Sequence, residues 1–378
     1  MRVLIAMDSF KGTFASLEVA NIVEKGLKKV YENAIADKVL IADGGEGTVD
    51  AVVNALNGKY FFVDVLDPLG KKVRAKYGIV NGMTAIIEMA EASGLILMSE
   101  EDLNPLVASS YGTGQLILDA LNRGCNKIIM GIGGSATNDG GAGMATALGA
   151  KLIDSDGNEV ASGGGALDQL DYIDISGLDP RIKEVEFIVA CDVDNILCGE
   201  KGASRVFGPQ KGANEEKIRI LDQNLNYYAQ LIKRDLGMDV GEIPGAGAAG
   251  GLGAGLMAFC NANLSKGIDV LLDIVKIDES IEAADIVITG EGRIDKQTAY
   301  GKVPVGIAKR AKKFNKPVFA IAGFVDKGAE LVYQHGIDAI ISSVVAPMTL
   351  KAVIEDSPRL IEEASERLFR IIKAIKSM

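Results

Sequence analysis

A single histidine, His335, serves a chain of 378 residues, and tryptophan is missing altogether. Ser-His-Asp catalysis would have to use that one imidazole, and no nucleophile elbow accompanies it. The same count removes any metal centre built on several histidines. His335 lies between a helix-like and a strand-like stretch and reads as structural. Cysteine is scarce too: Cys125, Cys191, Cys198 and Cys260 form no C-x-x-C pair, the usage of reduced thiols in a cytoplasmic protein. The G-x-x-x-x-G-K-[ST] signature is nowhere in the chain, so it is no P-loop enzyme. Basic residues number 40 against 51 acidic ones, a formal charge of −11. Nucleic-acid binding needs clustered Lys and Arg and is not expected, although a local group of donors can still hold a small anion.

Long apolar runs are lacking as well, with one imitation. Pro244 to Ala262 carries no charge, but six glycines between Gly245 and Gly255 make it a poor lipid-facing helix. It reads as a loop entering a buried helix, and no membrane association is expected. The opening Met-Arg-Val-Leu-Ile-Ala-Met-Asp turns acidic too early for a signal peptide and reads as a first strand.

What is abundant is glycine, 45 of 378 residues, well above the usual ~7%. Such an excess fits many tight turns and close backbone approaches to ligands. Apolar residues at 48% and charged ones at 24% describe a folded globular chain, long enough for two domains. Apolar runs at Arg2–Met7, Lys38–Ala42, Ile286–Thr289, Val318–Ala322 and Ala339–Ser343 read as buried parallel strands. Leu17 to Val30 carries Val19, Ile22, Val23, Leu27 and Val30 on one helical face, with Ser16 as its cap. Thr48 precedes another helix, with Val52, Val53 and Leu56 on one side. Ser357-Pro358 marks the start of the last, with Leu360, Ile361, Ala364, Leu368, Ile371, Ile372 and Ile375 on its face.

The middle differs. Val73–Ile79 alternates, Asn81-Gly82 follows and Thr84–Met89 resumes, which predicts a type I′ hairpin. An antiparallel hairpin inside a parallel sheet is explained by an insertion. The expected architecture is therefore α/β: a discontinuous Rossmann-like parallel-sheet domain from residues 1–65 and 280–378, with an inserted mixed α/β domain at 66–279. The active site is expected in the cleft between such domains.

Two glycine patterns resemble dinucleotide fingerprints. Gly245-Ala-Gly-Ala-Ala-Gly250 follows Pro244 without a clear strand, while Gly131-Ile-Gly-Gly-Ser-Ala136 follows a strand at Lys127–Met130. Each match alone is weak. Five polar, glycine-laced loops say more: Asp8–Gly12, Asp43–Thr48, Gly133–Asp139, Asp192–Asn195 with Phe207–Gly212, and Thr289–Asp295 continuing to Thr298. Phosphoryl transfer needs little covalent work from a protein and much electrostatic positioning. Glycines such as Gly44, Gly45, Gly133 and Gly134 let backbone N–H groups crowd onto phosphate oxygens. Carboxylates such as Asp8, Asp43, Glu46, Asp192 and Glu291 can meet Mg²⁺ or take a hydroxyl proton. Lys11 and Arg293 can answer charge on the transferred group. Gly163-Gly164-Gly165 reads as a plain turn, and Lys211 and Lys302 as solvated surface charges.

Seven ordered motifs make a specific resemblance. They are Asp-Ser-Phe-Lys-Gly at 8–12, Ala-Asp-Gly-Gly-Glu-Gly-Thr at 42–48, Gly-Gly-Ser-Ala-Thr-Asn-Asp-Gly-Gly-Ala-Gly at 133–143 and Ala-Cys-Asp-Val-Asp-Asn at 190–195. Phe-Gly-Pro-Gln-Lys-Gly-Ala at 207–213, Pro-Gly-Ala-Gly-Ala-Ala-Gly-Gly-Leu-Gly at 244–253 and Thr-Gly-Glu-Gly-Arg-Ile-Asp at 289–295 complete them. Nearly end to end, the chain resembles the bacterial glycerate kinase family. Thr13 and Phe14 depart mildly from it, standing where smaller or more polar residues are expected.

The resemblance implies an ATP-dependent kinase acting on D-glycerate, commonly at its 2-hydroxyl, with Mg²⁺. On that reading Asp192 is the first choice for the base and Asp43 the second, and Asp43, Glu46 and Asp192 are the metal-facing carboxylates. Lys11 or Arg293 receives the glycerate carboxylate, and Glu291 joins the catalytic group. Asp8, Ser9, Gly44, Gly45, Glu46, Gly47, Thr48, Asn195 and Asp295 line the binding loops, and Gly133, Gly134, Ser135, Asn138 and Asp139 cradle phosphate. A kinase of another hydroxy acid, a non-catalytic sugar-acid sensor and an NAD-dependent oxidoreductase using Gly131–Ala136 are the alternatives. The oligomeric state, a homodimer included, is open at this point.

Overall fold

The computed structural model describes residues 1–10, 14–39 and 47–377. Its strands, in chain order, are β1 (Arg2–Met7), β2 (Ile35–Lys38), β3 (Lys59–Leu66), β4 (Lys72–Val80), β5 (Thr84–Glu88), β6 (Lys127–Gly131), β7 (Lys151–Asp154), β8 (Leu170–Asp174), β9 (Glu186–Ala190), β10 (Asn263–Ser265), β11 (Ile286–Ile294), β12 (Val318–Val325) and β13 (Ala339–Ser342). The chain divides into two compact units, Met1–Asp43 with Ile268–Met378, and Gly44–Gly267.

In the first unit a parallel sheet runs in the order β13-β12-β11-β1-β2. Alternate side chains of a strand face opposite ways, and both faces of this sheet are covered. Val3, Ile5 and Met7 enter one core with the helices Ser16–Val30 and Leu350–Lys376. Leu4 and Ala6 enter another with Ile277–Ala283 and Val303–Lys313. Double coverage is why these strands read as unbroken apolar runs, and each such Leu or Ile contributes about 1.5–3 kcal/mol when fully buried. The helices Ser16–Val30 and Leu350–Lys376 meet closely at Gly26, where a Cβ would stand 2.4 Å from the Glu362 carbonyl oxygen. Beside it the Ser365 hydroxyl donates to the Val23 carbonyl at 2.7 Å.

Several local expectations shift. β2 occupies Ile35–Lys38, not Lys38–Ala42, and residues 40–42 of that expected run lie outside the described residues. It is an edge strand, so a half-polar sequence suffices there. β11 and β12 run further than expected, to Ile294 and Val325. Ser16 is not the cap of its helix. Ala15 is, with its N–H held by Glu18 Oε2 at 2.9 Å, and the Ser16 hydroxyl donates to the Met7 carbonyl instead. The last helix begins at Leu350, capped by Thr349, and Pro358 lies inside it. Proline removes one backbone donor. Here the helix continues through it, and the Ser357 hydroxyl bonds the Val353 carbonyl at 2.5 Å.

The second unit carries a mixed sheet, β10-β9-β6-β5-β4-β3, parallel from β10 to β5 and antiparallel from β5 to β3. The β4–β5 hairpin closes with Val80 opposite Thr84, so its loop holds three residues, one more than the two of the expected type I′ hairpin, and Asn81 and Gly82 both have positive φ, 52° and 77°. β3 pairs with β4 from Lys59 to Leu66. That pairing moves the first boundary to 43–44 from the expected 65–66. The second falls at 267–268, not 279–280, because Ile268 and Leu272 enter the core of the first unit. The uncharged 244–262 stretch is a loop entering the buried helix Leu252–Cys260, and no helix among the described residues is long and apolar enough to cross a membrane. All four cysteines are free thiols.

Candidate active site

Parallel strands end together, and ligands of open α/β sheets sit outside their carboxyl ends. In the first unit that edge carries a cavity of about 830 Å³ with Asp8, Ser9, Glu291, Arg293, Asp295 and Lys302 among its lining residues. Asp8 follows β1 directly. Its N–H extends the pairing with β11 through the Gly290 carbonyl at 2.9 Å, and its carboxylate accepts the Ser9 N–H at 2.7 Å. Glu291 lies within β11, opposite Ala322 of β12, so the loop expected at Thr289–Asp295 is strand up to Ile294. The first glycine of its Gly-Glu-Gly serves the sheet: a Cβ on Gly290 would stand 1.9 Å from the Ile321 carbonyl oxygen, whereas one on Gly292 would meet Phe10 at 3.5 Å.

Glu291 is nearly buried and firmly oriented. The Thr298 hydroxyl donates to its Oε1 at 2.5 Å and the Lys302 ammonium to its Oε2 at 3.3 Å. Burial pushes its carboxyl above the usual range, with Thr298 and Lys302 pulling it back. Lys302 is therefore a partner of Glu291 on the cavity wall, a correction to its reading as a surface charge. Asp295 accepts the Gln297 N–H at 2.8 Å, and Arg293 stands between Asp295 and Asp326.

In the second unit the corresponding edge carries two of the expected loops. After β6, Gly133 and Gly134 are exposed, with Gly134 at φ 74°. Ser135, Asn138 and Asp139 are buried beneath them. Asp139 accepts from Ser110 N–H, Ser110 Oγ, Gly141 N–H and Gly143 N–H at 2.8–3.2 Å, and so ties the loop together from inside. The Asn138 amide donates to Ser204 Oγ at 2.9 Å. After β9, Asp192 is exposed and its Oδ1 accepts the Gly267 N–H at 2.9 Å. Asn195 holds the glycine-rich segment, its carbonyl accepting from Gly245 and Gly247 and its amide donating to the Lys201 carbonyl.

Two residues escaped sequence reasoning. Lys211, expected on the surface, is fully buried, and its ammonium donates to Ser135 Oγ at 2.7 Å and to the Thr137 carbonyl at 2.6 Å. Burial lowers its pKa to about 7, with Asp139 acting in the opposite direction. Its only signal is a lysine among Phe-Gly-Pro-Gln-Lys-Gly, which loop composition alone cannot distinguish from a surface charge. Glu88 ends β5 and accepts the Val49 N–H at 2.8 Å at the start of the helix Thr48–Ala55. Burial raises its pKa and the Val49 and Gly47 N–H groups lower it. Its signal is a carboxylate closing an otherwise apolar strand. Thr48 is buried at the head of that helix, and Gly47 precedes it at φ 88°.

Lys11, Asp43, Gly44, Gly45 and Glu46 lie outside the described residues. Among the described residues no group of three or more His, Cys, Asp and Glu side chains is placed to hold a metal ion. Mg²⁺ arriving with nucleotide phosphates needs only one or two carboxylates, and Asp192 fits that donor type.

The pattern that defines the Glycerate kinase family matches residues 3–373. A Glycerate 2-kinase of Escherichia coli is 54% identical over 93% of this chain and 92% of its own. A Glycerate kinase of Halalkalibacterium halodurans is 51% identical over 97% of each. A crystal structure from Salmonella typhimurium LT2, assigned there as a glycerate kinase 2, superposes with a TM-score of 0.91 at 47% identity and covers 100% of both chains. The same α/β architecture holds in both, and the chain belongs to the glycerate kinase family.

Proposed function

We propose that the protein transfers the γ-phosphoryl group of ATP to D-glycerate, at the 2-hydroxyl, giving 2-phosphoglycerate and ADP. The observation that carries the reading is the 54% identity, over 93% of the chain, to a relative named Glycerate 2-kinase. The chemistry of the strand ends agrees with it. Exposed Gly133 and Gly134 offer backbone to phosphate oxygens, and anchored carboxylates stand at Asp192 and Glu291.

In this reading the Asp192 carboxylate accepts the hydroxyl proton while the new P–O bond forms and the bond to the ADP oxygen breaks. Asp43 is the second choice for that role. Asp192, Asp43 and Glu46 would supply carboxylates to the Mg²⁺ that accompanies ATP, which would offset the phosphate charge. Glu291, fixed by Thr298 and Lys302, accepts a hydrogen bond from a glycerate hydroxyl, and Arg293 or Lys11 receives the carboxylate. The Gly133–Asn138 loop cradles phosphate, with Lys211 supporting it from beneath. For Lys11, Asp43 and Glu46 the roles rest on the motif resemblance alone.

The test is an ADP-release assay with Mg-ATP, D-glycerate and a panel of other small hydroxy acids, with phosphorus NMR of the product. Turnover with D-glycerate and a 2-phosphoglycerate signal are expected. Turnover with another acid alone replaces the substrate, a 3-phosphoglycerate signal replaces the acceptor hydroxyl, and silence across the panel overturns the kinase reading.

A further inference from the structure

The cavity of the first unit is too large and too apolar for glycerate alone. At about 830 Å³ it lies near the upper end of the roughly 300–1,000 Å³ that accommodates larger organic ligands. Besides Asp8, Glu291 and Lys302 its lining carries an apolar set, of which Phe324, Met348, Leu350 and Ile354 are 53%, 37%, 76% and 41% exposed. Glycerate, a small acid bearing only hydroxyl and carboxylate groups, has nothing to lay against such a surface.

The last helix shows that this apolar set is not a by-product of the core. From Leu360 onward its apolar stripe, Leu360, Ile361, Ala364 and Leu368, is buried against the sheet. Leu350, Val353, Ile354 and Ser357 repeat the same helical spacing one to three turns earlier, yet they line the cavity. The helix is extended through Pro358 to place them there. Apolar groups left open to water beside a polar site are what a flat, weakly hydrated ligand surface requires.

We propose that these apolar side chains seat the purine base of the phosphoryl donor. The inference rests on the ATP-dependent reading above and adds which unit takes the base and by which side chains. Stacking of a base on an aromatic side chain such as Phe324 is worth about 5- to 150-fold in affinity, from the 1–3 kcal/mol of such contacts, and the flanking aliphatic side chains add buried apolar area.

The experiment is calorimetric titration of the full-length protein with ATP and, separately, with inorganic tripolyphosphate, which has the charge and no base. It is repeated on the double variant Leu350→Ala/Ile354→Ala, and KM values for ATP and D-glycerate are measured on both proteins. The wild type is expected to prefer ATP to tripolyphosphate by about tenfold or more, and the variant to lose most of that preference. Its KM for ATP should rise about tenfold while that for D-glycerate holds. A variant with unchanged ATP preference, a rise confined to the KM for D-glycerate, or a loss of self-association in sedimentation would each overturn the assignment. If the double variant fails to fold, Met348→Ala, outside the helix, carries the same comparison. ATP binding without any turnover of glycerate would sink the kinase reading while leaving the base site tested by the titrations.

Discussion

Each unit has a lysine set against an oxygen at the carboxyl edge of its parallel strands, and the two behave oppositely. In the first unit Lys302, with 36% of its side chain exposed, faces a carboxylate, Glu291, on the cavity wall. In the second, Lys211 is wholly buried and donates to a hydroxyl and a carbonyl, with no carboxylate among the described residues in contact. The first arrangement tunes a charge that a ligand can meet. The second gives up hydration of an ammonium to hold a loop, and the depressed pKa reports that cost. A lysine near the strand ends is thus open to a cavity in one unit and sealed into the protein in the other.

The comparison is broken first at the two anchored carboxylates. Removing a general base costs about 10²–10⁴ in rate, so Asp192→Asn should lose that much kcat in the coupled ADP assay. Glu291→Gln removes one charged contact and should lose about 10²–10³. Both variants should melt within a few degrees of the wild type. An Asp192→Asn enzyme of near-normal turnover moves the base to Asp43.

The next largest effect separates fold from site inside one motif. Gly290→Ala sets a methyl 1.9 Å from the Ile321 carbonyl oxygen between paired strands, whereas Gly292→Ala meets Phe10 at an ordinary 3.5 Å. Overpacking of this severity costs about 3 kcal/mol or more, and denaturant midpoints should show it for Gly290→Ala. Gly292→Ala should stay within about 1 kcal/mol of the wild type. Equal losses would mean that the strand can part at Gly290.

That pair also shows what the sequence could and could not disclose. Runs buried on both faces, such as Arg2–Met7, were legible because a short, unbroken apolar run between turn-forming residues is what a doubly covered strand leaves in a sequence. The hairpin was legible because Asn81-Gly82 supplies two residues tolerant of positive φ. Positions decided by partners far along the chain were not. The helix start at Leu350 was hidden by Pro358, whose missing donor matters less than the packing of Leu360, Ile361 and Ala364. Ser16 had the right chemistry for a cap, but the Met7 carbonyl claimed its hydroxyl. In the site, the motifs named the loops, while the burial of Lys211 depends on Ser135 and Thr137, more than seventy residues earlier. A lysine in a loop carries no local mark of such a partner.

Lys211 offers a sharper test through pH. An unfolded lysine titrates near 10.4, the folded one at about 7. Between those values the unfolded state binds more protons, so stability rises as pH rises and is lost as pH falls toward 7. One such group contributes about 1.4 kcal/mol per pH unit across that window. Lys211→Met lacks it, so the difference in unfolding free energy between wild type and variant should grow with that slope from pH 7 to pH 9. A constant difference would mean that the ammonium stays charged in the folded protein.

The smallest effect belongs to the exposed member of the comparison. Burial raises the Glu291 pKa, and Lys302 is one of the groups that hold it down. Lys302→Met removes that restraint, so the carboxyl should protonate at a higher pH than in the wild type. If ionised Glu291 is what glycerate meets, activity is lost as the pH falls through its pKa, and the acidic limb of kcat/KM should move upward. Water reaches the Lys302 ammonium and screens it, so the displacement should stay below about one pH unit. Glu291→Gln serves as the control, because a limb that persists there belongs to another group. A limb moving downward in Lys302→Met would show that the lysine acts on the substrate directly, and the two lysines would then differ in kind.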